Sequence, residues 1–455
     1  MEETRPAQLK RTLSTVGQVG IALATISPVA GVFANIQGSL GTGGTGMLWA
    51  YLLAAVITFG IAFTYSEMGS IYPVTGGVYS IVRNVLGPSV GFLALTDYLI
   101  QAVVMPATIA LGSAQYFQAL MPSVSLNVIG FVVMMVVTII ALASTSLEAK
   151  FTGFFVALEL VLMTVLTIAS ITHIHQPLSI YTHPVVLSGK HVVASTWSLV
   201  IAATAIALFS YNGYDSALNV SEETKASSKQ IGSGVVKAAG LAIVFQFIPI
   251  FFMLLATPSI PGLLHSTDPL ATLGRSLFGP NASLVFDIAA GFAILNSTLG
   301  VTIQFSRILY ASGRDRIWPT AISGYFTRVS RTGSPFVAVL VIGAIGLVMS
   351  FFSTFLFDLT FIGVILVVLY LLVAVAALVS KVRDRKIERP YRAPWGYFFP
   401  VLAFVGALLV LTQQTLNSLL ITAALFALGF VYWLTVGRRL AATRQSIAGD
   451  NTGAI

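Results

Sequence analysis

The chain has 455 residues, of which 56% are hydrophobic and only 9% charged, and its mean hydropathy is +0.90. A soluble protein of this length carries about 25% charged residues, so the composition excludes a water-soluble fold. The absence of cysteine also excludes disulfides, thiolate metal sites and cysteine nucleophiles. A formal net charge of +8 would suit nucleic acid, but the placement of the cations given below assigns them to topology instead.

Runs of roughly 17–25 apolar residues mark membrane-crossing helices. Twelve are predicted, near 14–40, 47–68, 89–119, 124–146, 151–173, 195–223, 235–257, 281–312, 335–353, 356–380, 396–413 and 418–437. They consume most of the chain and leave no room for a soluble domain. The predicted fold class is an all-α polytopic membrane protein with about twelve transmembrane helices. Ahead of span 1, "MEETRPAQLKRTLSTVG" is polar and has no small-residue cleavage site, so no signal peptide is expected.

Span 1 reads "VGQVGIALATISPVAGVFANIQGSL", with Ser27, Pro28 and Gly31 in its middle. Proline removes a donor and clashes with the preceding turn, and glycine tolerates unusual dihedrals, so the helix is expected to break there. "GTGGTG" at 41–46 fits the G-x-G-x-x-G pattern, but it joins two membrane spans without a βαβ unit and reads as a flexible turn. Span 5 carries Glu159 within "FVALELVLM". An acid at this depth costs roughly 2.5–3.5 kcal/mol, so it is paired, protonated or functional. Its candidate roles are a carrier of a coupling proton, a ligand for a cation or cationic substrate, and a structural hydrogen-bonded carboxyl. The connector after span 5, "HIHQPLSIYTHPVVLSGKH", holds four of the five histidines without a carboxylate among them. It reads as an extracellular connector rather than a metal site.

Span 6 ends in "ALFSYNGYDSALNVSEE", where Asn212-Gly213 supplies a second break. Each break alone reads as a Pro or Gly kink. Together, at matching positions five spans apart, they point to a transport site. Free N–H groups at a half-helix N-terminus suit a carboxylate, and free carbonyls at a half-helix C-terminus suit an ammonium. Asp215 follows the second break, where it either caps the half-helix or meets a substrate amine. Asp97 and Asp287 are intramembrane acids read as structural. Glu67, Glu222, Glu223 and Arg307 sit at span ends, where interfacial surface charge is the default reading.

With a cytoplasmic N-terminus, only Lys190 and Arg275 of the 24 Lys and Arg fall outside, leaving 22 inside. The expectation is a multi-pass protein of the cell inner membrane with both termini cytoplasmic and no nucleic-acid partner. "SKVRDRKIERPYR" and "GRRLAATR" read as lipid-headgroup anchors.

Four segments resemble the amino acid–polyamine–organocation (APC) superfamily in family order: "SEMGSIYPVTGGVYSIVRNVLGPSVGFL" (66–93), "FSYNGYDSALNVSEETKASSKQI" (209–231), "NSTLGVTIQFSRILYASGRDRIWP" (296–319) and "RPYRAPWG" (389–396). The resemblance implies a LeuT-type 5+5 inverted repeat with discontinuous helices 1 and 6. It implies a cytoplasmic tail (1–13), a first repeat (14–173), an extracellular connector (174–194) and a second repeat (195–380). A basic cytoplasmic loop (381–395), two peripheral spans (396–437) and a cytoplasmic tail (438–455) complete it. By position, Ser27, Pro28, Val29, Ala30 and Gly31 would frame a substrate carboxylate. Phe209, Ser210, Tyr211 and Gly213 would supply carbonyls and an aromatic wall, with Phe209 or Tyr214 as the occluding aromatic. In several proton-coupled relatives a lysine would stand at the position of Glu159, so the charge is reversed here. In relatives, charges such as Glu222, Glu223 and Arg307 help close the inner gate. The chain departs from the Gly-rich run common in span 1, carrying "SPVAG" instead.

The implied function is secondary active transport of amino acids by alternating access, through proton symport or substrate exchange. The alternative is transport of polyamines or of a small amine such as ethanolamine. Asp215 and Glu159 are the coupling or cation candidates. No P-loop, nucleophile–base pair or metal spacing is present, so no enzyme activity, cofactor or metal is expected.

Overall fold

In lipid every backbone polar group must find its partner within the protein, and a helix does this inside a single segment. The computed structural model follows that rule over the residues it describes: 13–73, 76–143, 145–266, 269–330 and 333–440. The expected tails lie outside the described residues at 1–12 and 441–455, and with them the last part of "GRRLAATR".

Span 1 consists of Thr15–Ile26 and Ile36–Gly43, joined by a wide π-type stretch at Ala30–Ala34. Spans 2 to 5 are Met47–Ile71, Pro88–Gln118, Leu126–Ala141 and Thr145–Thr172. Span 6 is Trp197–Tyr211 followed by the short Ser216–Asn219, and span 7 is Ser228–Ala256. Span 8 is the long Pro269–Arg314, kinked where Gly279 has a φ of 77°. Spans 9 to 12 are Phe336–Phe352, Phe355–Arg383, Phe398–Leu411 and Leu416–Tyr432. Among the described residues, eight helices are long and apolar enough to cross a bilayer, and three shorter apolar helices accompany them. The chain is an all-α polytopic membrane protein.

Packing follows a repeat of five. Span 1 packs on spans 5 and 7 as span 6 packs on spans 10 and 2. Span 3 meets spans 4, 9 and 10, and span 8 meets spans 9, 4 and 5. Adding five to each number of one set, and wrapping past ten, gives the other. A short helix, Gly77–Leu86, separates spans 2 and 3 at the end of the bundle rich in Lys and Arg, hereafter the basic end. Its counterpart, Ile260–His265, separates spans 7 and 8 at the opposite end, so the two repeats run inverted. Spans 11 and 12 lie outside this pattern: span 11 leans on spans 2 and 10, and span 12 on span 3.

The His-rich connector forms an antiparallel hairpin, β1 (Val185–Ser188) and β2 (His191–Ala194), at the end opposite the basic one. The hairpin covers "GTGGTG". The Val185 N–H donates to Thr45 Oγ1 at 2.9 Å, and Gly44, at φ 60°, lies so close to the Val185 carbonyl that no side chain fits. Of the turn expected to be flexible, residues 43–46 are buried and tightly packed.

Candidate functional site

Both expected breaks are present, and they touch. Ser27 has a φ of 45°, a region that L-residues rarely adopt, and it ends the first half of span 1. Its side chain repairs part of the damage: the Ala30 N–H donates to Ser27 Oγ at 3.1 Å. In span 6, Asn212 is extended and Gly213 has a φ of 122°. A Cβ on Gly213 would sit 2.8 Å from the Ile26 nitrogen, so the two broken helices meet backbone to backbone. Wide turns and strained residues of this kind mark functional sites.

A buried polar frame holds the breaks together. Asn35 Nδ2 donates to Ser210 Oγ at 3.0 Å, and Tyr51 OH lies 3.0 Å from both Ser210 Oγ and the Gly31 carbonyl. Gln246 Nε2 donates to the Ser210 carbonyl at 2.9 Å, and Tyr370 OH donates to Asn212 Oδ1 at 3.1 Å. Tyr211 packs edge-on to Tyr51, with ring centroids 5.6 Å apart.

Between the breaks lies a cavity of about 20 Å³ bounded by spans 1, 3, 6, 8 and 10. Its lining mixes polar side chains, Thr25, Asn35, Thr108, Asn212 and Ser297, with apolar ones such as Met105, Ile109, Phe209 and Phe355. No charged side chain lines it. Such a volume accommodates about one water molecule, so this conformation is closed around its centre. A far larger cleft of about 720 Å³ opens on the flank of the bundle, but its lining is almost wholly apolar, with Lys237 as its one charged side chain.

Of the sequence-predicted binding residues, Ala30 and Phe209 line the central cavity. Gly31, Ser210, Tyr211 and Gly213 form the frame behind it. Ser27 and Val29 face the other way, toward Glu159. That carboxylate is fully buried among Ser27, the Val29 backbone and Asn296, yet neither of its oxygens reaches hydrogen-bond geometry, and nor does either end of the Asn296 amide. Tyr214 is placed away from the cavity. It is fully buried against Tyr65, with ring centroids 5.8 Å apart, on the basic-end side of the break.

Asp215 occupies the N-cap position of Ser216–Asn219 but makes no capping bond. Its Oδ2 accepts from Tyr98 OH at 2.7 Å and from Gln304 Nε2 at 3.0 Å. Asp97 is near it, also fully buried, with Oδ2 accepting from Gln101 Nε2 at 2.5 Å. Oδ1 of both acids and the hydroxyl of nearby Tyr65 have no hydrogen-bond partner.

Three charges at the basic end, Arg307, Glu223 and Glu67, are buried rather than on the surface. Arg307 donates to Glu223 at 2.6 and 3.2 Å, with both side chains only 3–4% exposed. Arg314 donates to Glu222 at 2.8 Å. Glu67, read from sequence as an interfacial charge, is buried. It accepts from Lys381 at 2.7 Å, from Arg389 at 2.9 Å and from the Ala393 N–H at 3.3 Å. Lipid-facing solvation is replaced here by three donors from span 10 and the loop after it. Leu13 adds a short strand-like bridge, its N–H donating to the Glu223 carbonyl at 2.9 Å.

Sequence reasoning missed Asn35, Tyr51, Gln246, Tyr98, Asn296 and Gln304. Each is an isolated polar residue in an apolar span, and the cost of burying such a group without a partner is the signal that could have found it.

Several named transporters are similar to this chain in sequence. The chain is similar to the low-affinity putrescine importer PlaP of Escherichia coli (strain K12), with 25% identity over 354 residues, 76% of this chain and 75% of that protein. It is 24% identical over 422 residues to the branched-chain amino acid permease BcaP of Lactococcus lactis subsp. cremoris, covering 87% of this chain and 88% of that one. With the methylthioribose transporter of Bacillus subtilis it shares 23% identity over 463 residues, 96% and 93% of the two chains. Residues 13–436 match the amino acid permease family, which takes in both broken helices, the cavity between them and the buried charges of the basic end, so the chain belongs to that family of membrane transporters.

Proposed function

We propose that the chain is a secondary active transporter of amino acids with apolar side chains. It works in the cell inner membrane by alternating access around the span 1 and span 6 breaks, with its basic end in the cytoplasm. The single observation that carries this reading is the uncharged cavity between the two breaks, lined by both polar and apolar side chains. A zwitterion needs both its charges met. With no charged lining, backbone dipoles of the half-helices are the groups available to meet them. Met105, Ile109, Phe209 and Phe355 then face the side chain. The resemblance to a branched-chain amino acid permease supports the same assignment.

Glu159 is the coupling group in this reading. It touches the span 1 break through Ser27 and the Val29 backbone, so its protonation is felt where the substrate carboxylate sits. Proton symport follows, with substrate exchange as the variant in which Glu159 stays protonated. Glu159→Gln should abolish uptake driven by a pH gradient while leaving exchange intact; unchanged pH-driven uptake would remove Glu159 from the coupling.

A second reading, transport of a small amine, is favoured by Asp97 and Asp215. They form a buried acid pair on the basic-end side of the break, with no Lys or Arg among the groups set against either carboxylate. The similarity to a putrescine importer supports it. Thermal stabilisation of the purified protein separates the two. A ligand at 100 times its dissociation constant adds about 2.7 kcal/mol if it binds only the folded state. Stabilisation by leucine, isoleucine or valine but not by their decarboxylated amines is expected. Stabilisation by amines alone would transfer the assignment to the acid pair.

A further inference from the structure

The flank cleft of about 720 Å³ runs between the first half of span 1, span 5 and span 7, outside the transport path. Its walls include Gly20, Gly153, Val156, Leu160 and Leu241, and the space exists because two wall positions are glycines: a Cβ on Gly20 or on Gly153 would meet nothing within 4 Å. The surfaces beside it face lipid, with Val16 81%, Phe154 66% and Val161 58% exposed. One cation stands in this apolar setting. Lys237 lines the cleft and is exposed, and it lies at the start of the apolar run 235–257, toward the basic end of helix Ser228–Ala256. No carboxylate lines the cleft, and Lys237 makes no ion pair or hydrogen bond among the described residues.

We propose that this cleft binds one phospholipid with an anionic headgroup, its acyl chain lying over Gly20 and Gly153 and its phosphate paired with Lys237. A lysine at the interfacial end of an apolar cleft lays its stem along the cleft wall and holds its ammonium at headgroup level. There it lacks a protein counter-charge among the described residues. Basic pockets between membrane helices acquire one by holding anionic headgroups. The apolar walls match an acyl chain, and the single charge selects its headgroup. The site also has a consequence for transport. Its inner wall is Thr15–Ile26, the half-helix that ends at the strained Ser27, so a bound lipid braces that half-helix against spans 5 and 7.

The test is lipid retention, read independently of uptake. The full chain is reconstituted in nanodiscs containing equal phosphatidylglycerol and phosphatidylcholine, extracted in mild detergent, and its retained lipids are counted by native mass spectrometry. Phosphatidylglycerol should be retained about fivefold over phosphatidylcholine, the selectivity of one lysine near anionic lipid. Lys237→Gln should erase the preference while some lipid of either kind stays bound. Gly153→Leu, or Gly20→Leu if the first does not fold, should fill the cleft and lose both. Equal retention of the two lipids by the unaltered protein would overturn the proposal, as would undiminished phosphatidylglycerol in a folded cleft-filling variant.

Discussion

A single methyl group at position 213 would meet two obstacles. The φ of 122° is a conformation that an L-side chain resists, and the new Cβ would lie 2.8 Å from the Ile26 nitrogen and 3.0 Å from the Thr25 carbonyl carbon. The first obstacle costs about 1–3 kcal/mol. The second cannot be relieved by a side-chain rotation, because the neighbour is backbone. Gly213→Ala should therefore lower the melting temperature and force spans 1 and 6 apart, weakening stabilisation by substrate as well. A variant with unchanged melting temperature and unchanged ligand response would mean that the two breaks do not touch as described. Ser27 is the complementary case: a residue with a side chain holds a positive φ, and its Oγ compensates by accepting from the Ala30 N–H. The local chemistry of proline, glycine and Asn-Gly made both breaks legible in the sequence, since the signal and the consequence lie within a few residues of each other.

At the scale of the element, legibility fades as partners move apart along the chain. Apolar run length fixed the spans because lipid imposes a length on any helix that crosses it. It could not foresee that Gln246 of span 7 ties down the Ser210 carbonyl, 36 residues away, or that Asn35 reaches Ser210 across 175 residues. Glu67 is the clearest instance. In sequence it is one acid at the end of span 2, and in the fold it fastens span 10 and the "RPYRAPWG" segment to span 2 through Lys381, Arg389 and the Ala393 N–H. Two of the four motifs that carried the family resemblance are thus halves of one joint. Removing the charge while keeping the shape leaves two cations facing a neutral group in a buried setting. Breaking a buried ion pair from one side costs about 3–5 kcal/mol. Glu67→Gln should accordingly destabilise the protein and raise protease cleavage within residues 384–397, while Glu388→Gln, seven residues after Lys381 and exposed, should do neither.

At the scale of the molecule, closure is lopsided. The centre holds a cavity of only about 20 Å³, and beneath it the basic end is locked by Arg307 with Glu223, by Arg314 with Glu222 and by the Leu13 bridge. These locks join span 8 and the N-terminal segment to the stretch immediately after span 6, which belongs to a moving half of any alternating-access cycle. The Arg307–Glu223 pair is the innermost and the most buried, so opening toward the basic end must separate it and return both charges to water. Removing Arg307 eliminates that attraction but leaves Glu223 buried and uncompensated in the closed form, which penalises closure by about 3–5 kcal/mol and favours opening by a factor of roughly a hundred to several thousand. The chain offers a clean way to see this, because it contains no cysteine that would have to be removed first. Ser216→Cys places a thiol at a buried position between the break and the lock. Labelling of that thiol by a membrane-impermeant maleimide from the basic side should be slow in the otherwise unaltered chain and rise steeply when Arg307→Ala is added. Arg307→Lys, which keeps the charge but loses the two-pronged contact, should fall between them. Equal labelling rates in all three would mean that the pair is a bystander and that closure rests on helix packing alone.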